Sequence, residues 1–515
     1  MRGPLLLCLV ILGVPLAGFA ASTAIRAHND AELVSLASRG KVHVAPSEIP
    51  GLTVARICQS PTMAGTGPCE VDSQLALMSN VSLGAGIAGL ALVGLIVLAG
   101  QVARSNRALL LAVFRPGLYV AAVVTIALVI VHAILAMAII YYGESALVER
   151  VHGGLILAIG LGAIAGVAGI AKSMFGAVQK AETGAVGVSV STNEAEPLWN
   201  HTAGIARKLG ALQPDHIVVG LEPTFFVTEA NVRTPAEQLT GRTLFCSLPL
   251  ARILTIDELT AIIGHELGHF RGEDTKFSGH FYPIYRGTTT AIASLQAAGG
   301  GSMRVLSLLP AVAILSFFLD RFAVAENLHS RSRELLADQA GAEATSARTM
   351  ASALVKVHAF ASLWGGFQQA SVQQMTEGKV FKNASTVFAG AVASAARPEA
   401  LDGIAATHSS HPTDSHPTLA DRLDALGVEL SSVTADALAI APAPSAASLV
   451  PETEAREEAL SMMYQQLLAR QLGIQPKVEQ SRGSNWSPVR QCLNCGTKVL
   501  PKGDGQCPRC GARMA

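Results

Sequence analysis

The sequence predicts a multi-span α-helical membrane region, then a mainly α (α+β) domain, and finally a small four-cysteine ribbon at the C-terminus. Three observations predict it. Charged residues are only 15% of the 515, against about 25% in ordinary soluble domains, and the mean hydropathy is positive. Long apolar runs crowd into the first third of the chain, and residues 197–254 then alternate helix and strand signals. Two C-x-x-C pairs close the sequence. Formal net charge is zero, so the charge balance suggests neither a nucleic-acid binder nor a polybasic tail.

Residues 1–21 carry Arg2, an apolar run from Leu5 to Phe19, and the small-residue ending Gly18-Phe19-Ala20. This pattern fits a secretory signal peptide or an uncleaved anchor helix. Either reading places residues 22–80 outside as a small exported segment. Three apolar runs follow, about Val81–Ala103, Leu118–Tyr142 and Gly153–Ala171. Each reaches or approaches the roughly 20 residues that a helix needs to cross the hydrocarbon core. Buried helices of a soluble protein are the alternative, disfavoured because three such runs fall within residues 81–175. Arg104, Arg107 and Arg115 flank the first connection, whereas the second carries Glu144, Glu149 and Arg150. The positive-inside rule makes the first connection cytoplasmic and the second external. Lys172 and Lys180 then lie inside, so the downstream domain, residues 176–435, starts in the cytoplasm of a multi-pass inner (plasma) membrane protein. A further apolar stretch, Val305–Leu319, contains Pro310 and follows the weaker run Thr288–Gly301. It predicts a hydrophobic hairpin near 288–320 that dips into or lies on the membrane.

Within the downstream domain, a helix is expected near Leu198–Leu209, with strands around His216–Val219, Thr224–Thr228 and Thr243–Leu248. Thr255-Ile256-Asp257-Glu258 has capping-box spacing and opens a helix, and its early acids suit the helix dipole. On that helix lies His265-Glu266-Leu267-Gly268-His269. Histidines at i and i+4 share one face, so both imidazoles can reach a single zinc ion. Glu266 is placed to take a proton from an activated water and return it to a leaving amine. Two histidines merely packed or solvated on a helix are the bland alternative. A catalytic zinc needs a third protein ligand, and Glu334 in Ser332-Arg333-Glu334-Leu335-Leu336-Ala337-Asp338 is the candidate. The competing reading pairs Glu334 with Arg331 or Arg333 on a solvated helix. Asp338, one turn on, is placed to accept the free N–H of a ligating histidine.

The order of apolar helices, H-E-x-x-H, hydrophobic interruption and E-x-x-A-D resembles the HtpX-like and CAAX prenyl protease family of membrane metallopeptidases. Ser415-His416-Pro417-Thr418-Leu419-Ala420-Asp421-Arg422-Leu423 is similar to the family's late S-H-P…R signature. The resemblance covers about residues 80–430. It implies a zincin-type metallopeptidase domain in which His265, His269 and Glu334 bind zinc and Glu266 is the base. His416 would stabilise the oxyanion, and Arg422 would pair with an acid, although a surface arginine fits nearly as well. His408 and His411 are read as loop residues. Where the family often has an asparagine in the strand before the catalytic helix, this chain has Thr224 in Pro223-Thr224-Phe225-Phe226. A shorter hydroxyl there puts substrate-backbone recognition on that edge in doubt.

An Ala/Pro/Ser-rich stretch, a helix at Glu452–Leu472 and a second polar stretch form an expected linker region, 436–490. Cys492, Cys495, Cys507 and Cys510 then form two knuckles of a zinc ribbon over 491–515. Its closed thiolate sphere makes the second zinc structural. Cys58 and Cys69 can pair as a disulfide if their segment is exported, and Cys8 and Cys246 read as inert packing residues. The expected partners are a protein or peptide substrate and the lipid bilayer, with no nucleic acid, because no aromatic stacking residues accompany the ribbon's basic residues. The resemblance implies cleavage of membrane or misfolded proteins at the cytoplasmic face. The alternative from another class is a non-catalytic membrane scaffold that recruits partners through the ribbon, and an intact Glu266 argues against it.

Overall fold

The computed structural model describes residues 2–271 apart from 43, 64, 148–149 and 177–181, then 289, 302–404, 417–440, 442–473, 490–491, 498–499 and 512–513. The chain divides into two compact units, residues 1–179 with 283–326 and residues 180–282 with 327–515.

The first unit is built from helices α1 (Arg2–Ser38), α2 (Val54–Ile57), α3 (Gly67–Ser105), α4 (Arg107–Leu147) and α5 (Gly153–Gly176). Among the described residues, four helices are long and apolar enough to cross a membrane: those containing Leu7–Ser38, Gly67–Ser105, Arg107–Ala146 and Gly153–Ala171. At about 1.5 Å per residue, α1, α3 and α4 are each far longer than a hydrocarbon core of roughly 30 Å. α1 runs to Ser38 and α3 starts at Gly67, so each helix extends through polar sequence beyond its apolar run. These extensions hold each other. Arg26 donates from Nε and Nη2 to the two oxygens of Asp72 at 2.8 and 3.2 Å, and the Val54 amide donates to Asp30 at 2.7 Å. Cys58 and Cys69 form a disulfide. Ile25, Leu75, Met78 and Leu135 pack as one cluster from α1, α3 and α4.

Small residues permit that packing, as they do where apolar helices meet without a hydrophobic driving force. A Cβ built on Gly89 of α3 would lie 2.3 Å from Ile11 of α1. Most of the first limb of the hairpin expected near 288–320 (288 and 290–301) lies outside the described residues; Ser302 opens a helix, α9, that passes through Pro310 and ends at Ala344. Its first part belongs to this unit, where Ala311 packs with Val129 and Ile170 and Phe318 stacks on Phe114 at 5.8 Å. Pro310 in the third turn removes an i→i−4 hydrogen bond, and packing against neighbouring helices supports α9 there.

In the second unit, a four-stranded sheet has the order β2 (Gly187–Val190), β3 (His216–Gly220), β7 (Thr243–Ser247), β4 (Phe226–Thr228). β3 and β7 run parallel with Val219 opposite Cys246, whereas β2 and β4 join antiparallel at the edges. The continuous apolar runs of β3 and β7 match strands buried on both faces. A second sheet pairs β1 (Glu182–Gly184), β5 (Asn231–Arg233) and β6 (Gln238–Leu239). α6 (Glu196–Leu209), α7 (Leu248–Ile253) and α8 (Ile256–Arg271) pack with the four-stranded sheet around Leu198, Ile217, Leu244, Ile263 and Leu267. The predicted capping box opens α8: the Glu258 amide donates to Thr255 Oγ1 at 3.1 Å and the Thr255 amide to Glu258 Oε2 at 2.9 Å. The buried Glu258 also receives Ser352 Oγ and Lys356 Nζ, at 2.7 and 2.8 Å, from α10 (Ala347–Phe360).

α11 (Leu363–Thr376), α12 (Ala384–Ala395), α13 (Leu419–Leu426), α14 (Leu430–Leu438) and α15 (Thr453–Leu472) complete the unit. The stretch expected to be a linker is packed instead. Ala446, Ala447, Val450, Leu460 and Met463 sit in the same core as the sheet, and the Ala446 amide donates to the Leu254 carbonyl. Buried Glu457 of α15 accepts from Arg252 Nε at 2.8 Å and Asn383 Nδ2 at 2.8 Å.

α8 meets α9 along a seam of small residues. A Cβ on Gly264 would lie 2.7 Å from Ala344 Cβ, and one on Gly268 would lie 2.9 Å from Ala340 Cβ. Gly341 is closed in by Ala261 O at 2.6 Å. Gly264→Val is therefore expected to destabilise by about 2 kcal/mol or more through overpacking, lowering the unfolding midpoint by roughly 4–8 °C for a domain of this size. Gly204→Ala, in a helix with nothing nearer than 4.0 Å to the added methyl, is expected to hold or raise that midpoint. Equal midpoints for Gly264→Val and the parent protein would remove the seam from the argument.

Candidate active site

The α8–α9 seam sets the site. α8 presents His265, Glu266 and His269, and α9 presents Glu334 and Asp338. One ligand atom from each of His265, His269 and Glu334 lies within 4.8 Å of the others. His265 Nε2 is 3.8 Å from Glu334 Oε2, and His269 Nε2 is 3.6 Å from Glu334 Oε1. The two rings stand 5.0 Å apart at 90°. Donors around a tetrahedral zinc at about 2.0–2.1 Å lie roughly 3.4 Å from one another, so the spacing and donor chemistry of this group fit such an ion. Glu334 thus belongs with the imidazoles rather than on a solvated helix face, and at 8% exposure it is buried.

A second set of side chains orients the first. Fully buried Asp338 lies 2.9 Å from His265 Nδ1 through Oδ1. With Nδ1 donating to that carboxylate, Nε2 keeps its lone pair for the donor group. Arg422 donates from Nε to Asp338 Oδ2 at 2.8 Å and from Nη2 to Oδ1 at 2.5 Å. Its guanidinium is therefore an internal ion-pair partner and not a surface charge. Burial opposes ionisation of Asp338, but the hydrogen bonds from Arg422 and His265 outweigh it and hold the carboxyl below the usual range. Burial likewise opposes the charge of Arg422, and Asp338 overrides it.

Arg422 owes its aim to the start of α13. Thr418 Oγ1 accepts from the Asp421 amide at 3.1 Å and Asp421 Oδ2 accepts from the Thr418 amide at 3.2 Å, a closed capping box. The family resemblance implied an Arg422–acid pair, with a surface arginine as the alternative; Arg422 pairs with Asp338. His416, together with His408 and His411, lies outside the described residues, as do Cys492, Cys495, Cys507 and Cys510.

Glu266 is 9% exposed, so it is buried beside the two histidines. Cys246 of β7 is buried within its electrostatic reach, and burial followed by the Glu266 charge pushes the thiol up to about 12. A thiol held neutral in this way is a packing group, not a nucleophile. Thr224 is exposed two residues before β4 and donates from Oγ1 to the neighbouring Phe225 carbonyl at 3.2 Å. Among the described residues, β4 is the edge strand of its sheet and pairs with β7. The residues that sequence reasoning passed over are those of the seam. Gly264 and Gly268 at i and i+4, facing Ala337, Gly341 and Ala344 at similar spacing, carry the signal that finds it.

Residues 238–429 match the model of Peptidase family M48, a span that contains every residue of the arrangement above except Thr224. The chain is similar to a Protease HtpX homolog of Archaeoglobus fulgidus, with 28% identity over 46% of this chain and 69% of that protein. It is also similar to Protease HtpX homologs of Pyrobaculum aerophilum and Pyrobaculum calidifontis, with 33% and 34% identity over 24% of this chain and 37% of each relative. The chain thus spans just over two thirds of the first relative and little more than a third of the other two. The four apolar helices, an H-E-x-x-H helix whose histidines meet a carboxylate from a second helix, and this match over residues 238–429 together support a membrane metallopeptidase similar to Peptidase family M48 and to the HtpX homologs.

Proposed function

We propose that this protein is a zinc-dependent endopeptidase that cleaves membrane or misfolded proteins at the cytoplasmic face of the plasma membrane. The observation that carries this reading is the convergence of His265, His269 and Glu334 beside buried Glu266. His265, His269 and Glu334 would hold a zinc ion, which would supply the Lewis acidity to activate a water and a peptide carbonyl. Glu266 receives the proton of the attacking water and passes it to the leaving amine. Asp338 fixes the tautomer and orientation of His265, and Arg422 compensates the charge that Asp338 brings into the interior. The open side of β4 offers main-chain groups to an extended substrate, with Thr224 at its entry. His416 is assigned to the developing oxyanion on the family resemblance.

Three features support the cytoplasmic orientation. The Cys58–Cys69 disulfide belongs to an oxidising compartment. It joins the segment before α3 to the first turn of that helix, so α3, α4 and α5, each crossing once, would leave the chain that follows α5 on the opposite side of the membrane. Arg104, Arg107 and Arg115 near the α3–α4 connection agree with the positive-inside rule. The C-terminal cysteines are proposed to hold a second, structural zinc. Strands β8 (Arg490–Gln491) and β9 (Lys498–Val499) pair antiparallel on either side of the Cys492 and Cys495 positions in sequence, as a zinc knuckle requires.

Glu266→Gln is expected to lower the cleavage rate of an unfolded test protein by about 10²–10⁴-fold while the purified enzyme keeps its zinc. Undiminished cleavage would reject the mechanism. Metal analysis of the full chain is expected to find two zinc ions, falling to one after deletion of 485–515 and, separately, falling to one in Glu334→Gln. Asp338→Asn is expected to weaken binding at the catalytic zinc by roughly 10–100-fold, read by competition with a graded chelator; unchanged affinity would place Asp338 outside the metal's support.

A further inference from the structure

One end of the membrane-forming unit gathers arginines that lack carboxylate partners. Gly100 of α3 admits α9 so closely that a Cβ built on it would lie 3.2 Å from Arg321 Cβ. Arg104 stands one turn beyond Gly100 on the same face of α3. The Nε atoms of Arg104 and Arg321 are both buried and neither has a hydrogen-bond partner. Among the described residues no salt bridge reaches either guanidinium. The Arg321 guanidinium lies over the Phe317 ring, 5.1 Å from its centroid. Exposed Asp320, the neighbour in sequence, influences Arg321 only through space.

Packing fixes the depth. Ala311 of α9 packs with Val129, close to the midpoint of α4 (Arg107–Leu147). Arg321 follows Ala311 by ten residues, about 15 Å along a helix, which is half of a roughly 30 Å hydrocarbon core. The stacking of Phe318 and Phe322 on Phe114, near the start of α4, puts this part of α9 at that end of the bundle. Arg104 and Arg321 therefore lie at headgroup level. Solitary interfacial arginines extend their side chains into water, whereas here both Nε atoms are enclosed.

Two neighbouring half-buried like charges, each with a buried and unpartnered Nε, repel unless an anion lies between them. The anion present at that depth is the phosphodiester of a lipid, whose oxygens match the donor fork of a guanidinium. We propose that Arg104 and Arg321 bind the phosphate of an anionic phospholipid, with an acyl chain lying along the exposed Leu90 and Val97, which share the face of α3 that carries Arg104. The site depends on the membrane assignment and not on proteolysis, so its failure leaves the peptidase reading intact.

The test uses the full-length protein in mild detergent, incubated with phosphatidylglycerol or phosphatidylcholine and examined by native mass spectrometry. Phosphatidylglycerol is expected to be retained about tenfold more than phosphatidylcholine. Arg104→Gln and Arg321→Gln are each expected to remove most of that preference, whereas Arg150→Gln, in the α4–α5 connection, leaves it unchanged. Millimolar inorganic phosphate is expected not to displace the lipid; displacement would make the site one for free phosphate and overturn the lipid assignment. Should a glutamine variant misfold, the wild-type comparison decides alone, and equal retention of the two lipids overturns the proposal.

Discussion

The close approach of α8 and α9 is the constraint on which the site depends. His265 and Asp338 are 73 residues apart, yet their side chains meet at 2.9 Å. They do so because the two helices touch backbone to backbone through Gly264, Gly268, Ala337, Ala340 and Gly341. A larger side chain at any of these positions separates the helices, and carboxylate and imidazoles cannot then share one ion. The glycines cost helix propensity of about 1 kcal/mol each, and the contacts made across the seam offset it. The internal x-x of His265-Glu266-Leu267-Gly268-His269 thus does two jobs: Leu267 enters the core and Gly268 faces α9.

Charge in the interior follows a consistent rule. Asp338, Glu258 and Glu457 are all essentially inaccessible to solvent. Each is matched by a cation from a distant element: Arg422, Lys356 and Arg252 respectively. A buried pair contributes little net stability, because desolvation cancels most of the attraction, but removing one partner costs about 3–5 kcal/mol. Such pairs therefore fix which helices meet rather than how strongly. Arg422–Asp338 holds α13 against α9 at the metal-binding group, Lys356–Glu258 holds α10 against the start of α8, and Arg252–Glu457 holds α15 against α7.

What was legible in the sequence was local. The capping box at Thr255 and Glu258, the spacing of His265 and His269, and the strands expected around 216–219 and 243–248 depend on short-range periodicity, and the structure has the capping box and strands at 216–220 and 243–247. Glu334 was legible only through its motif, since no local rule joins it to a helix some 70 residues earlier. Two features escaped for stated reasons. Hydropathy marks where an apolar run stops but not where a helix stops, so α1 and α3 proved longer than their apolar cores. The composition of 436–450 looks like a tether, but Ile440, Ala446, Ala447 and Val450 supply enough apolar surface to be drawn into the core.

The burial of α15 also sets a limit on modularity. Leu460, Met463 and Tyr464 fill space beside Trp364 and Phe388, and Glu457 neutralises Arg252. Residues up to Leu472 are therefore as much a part of the catalytic body as the histidine helix, although the family match ends at 429. A frameshift or a processing nick before residue 450 would open the interior to water and leave an arginine stranded without its counter-ion.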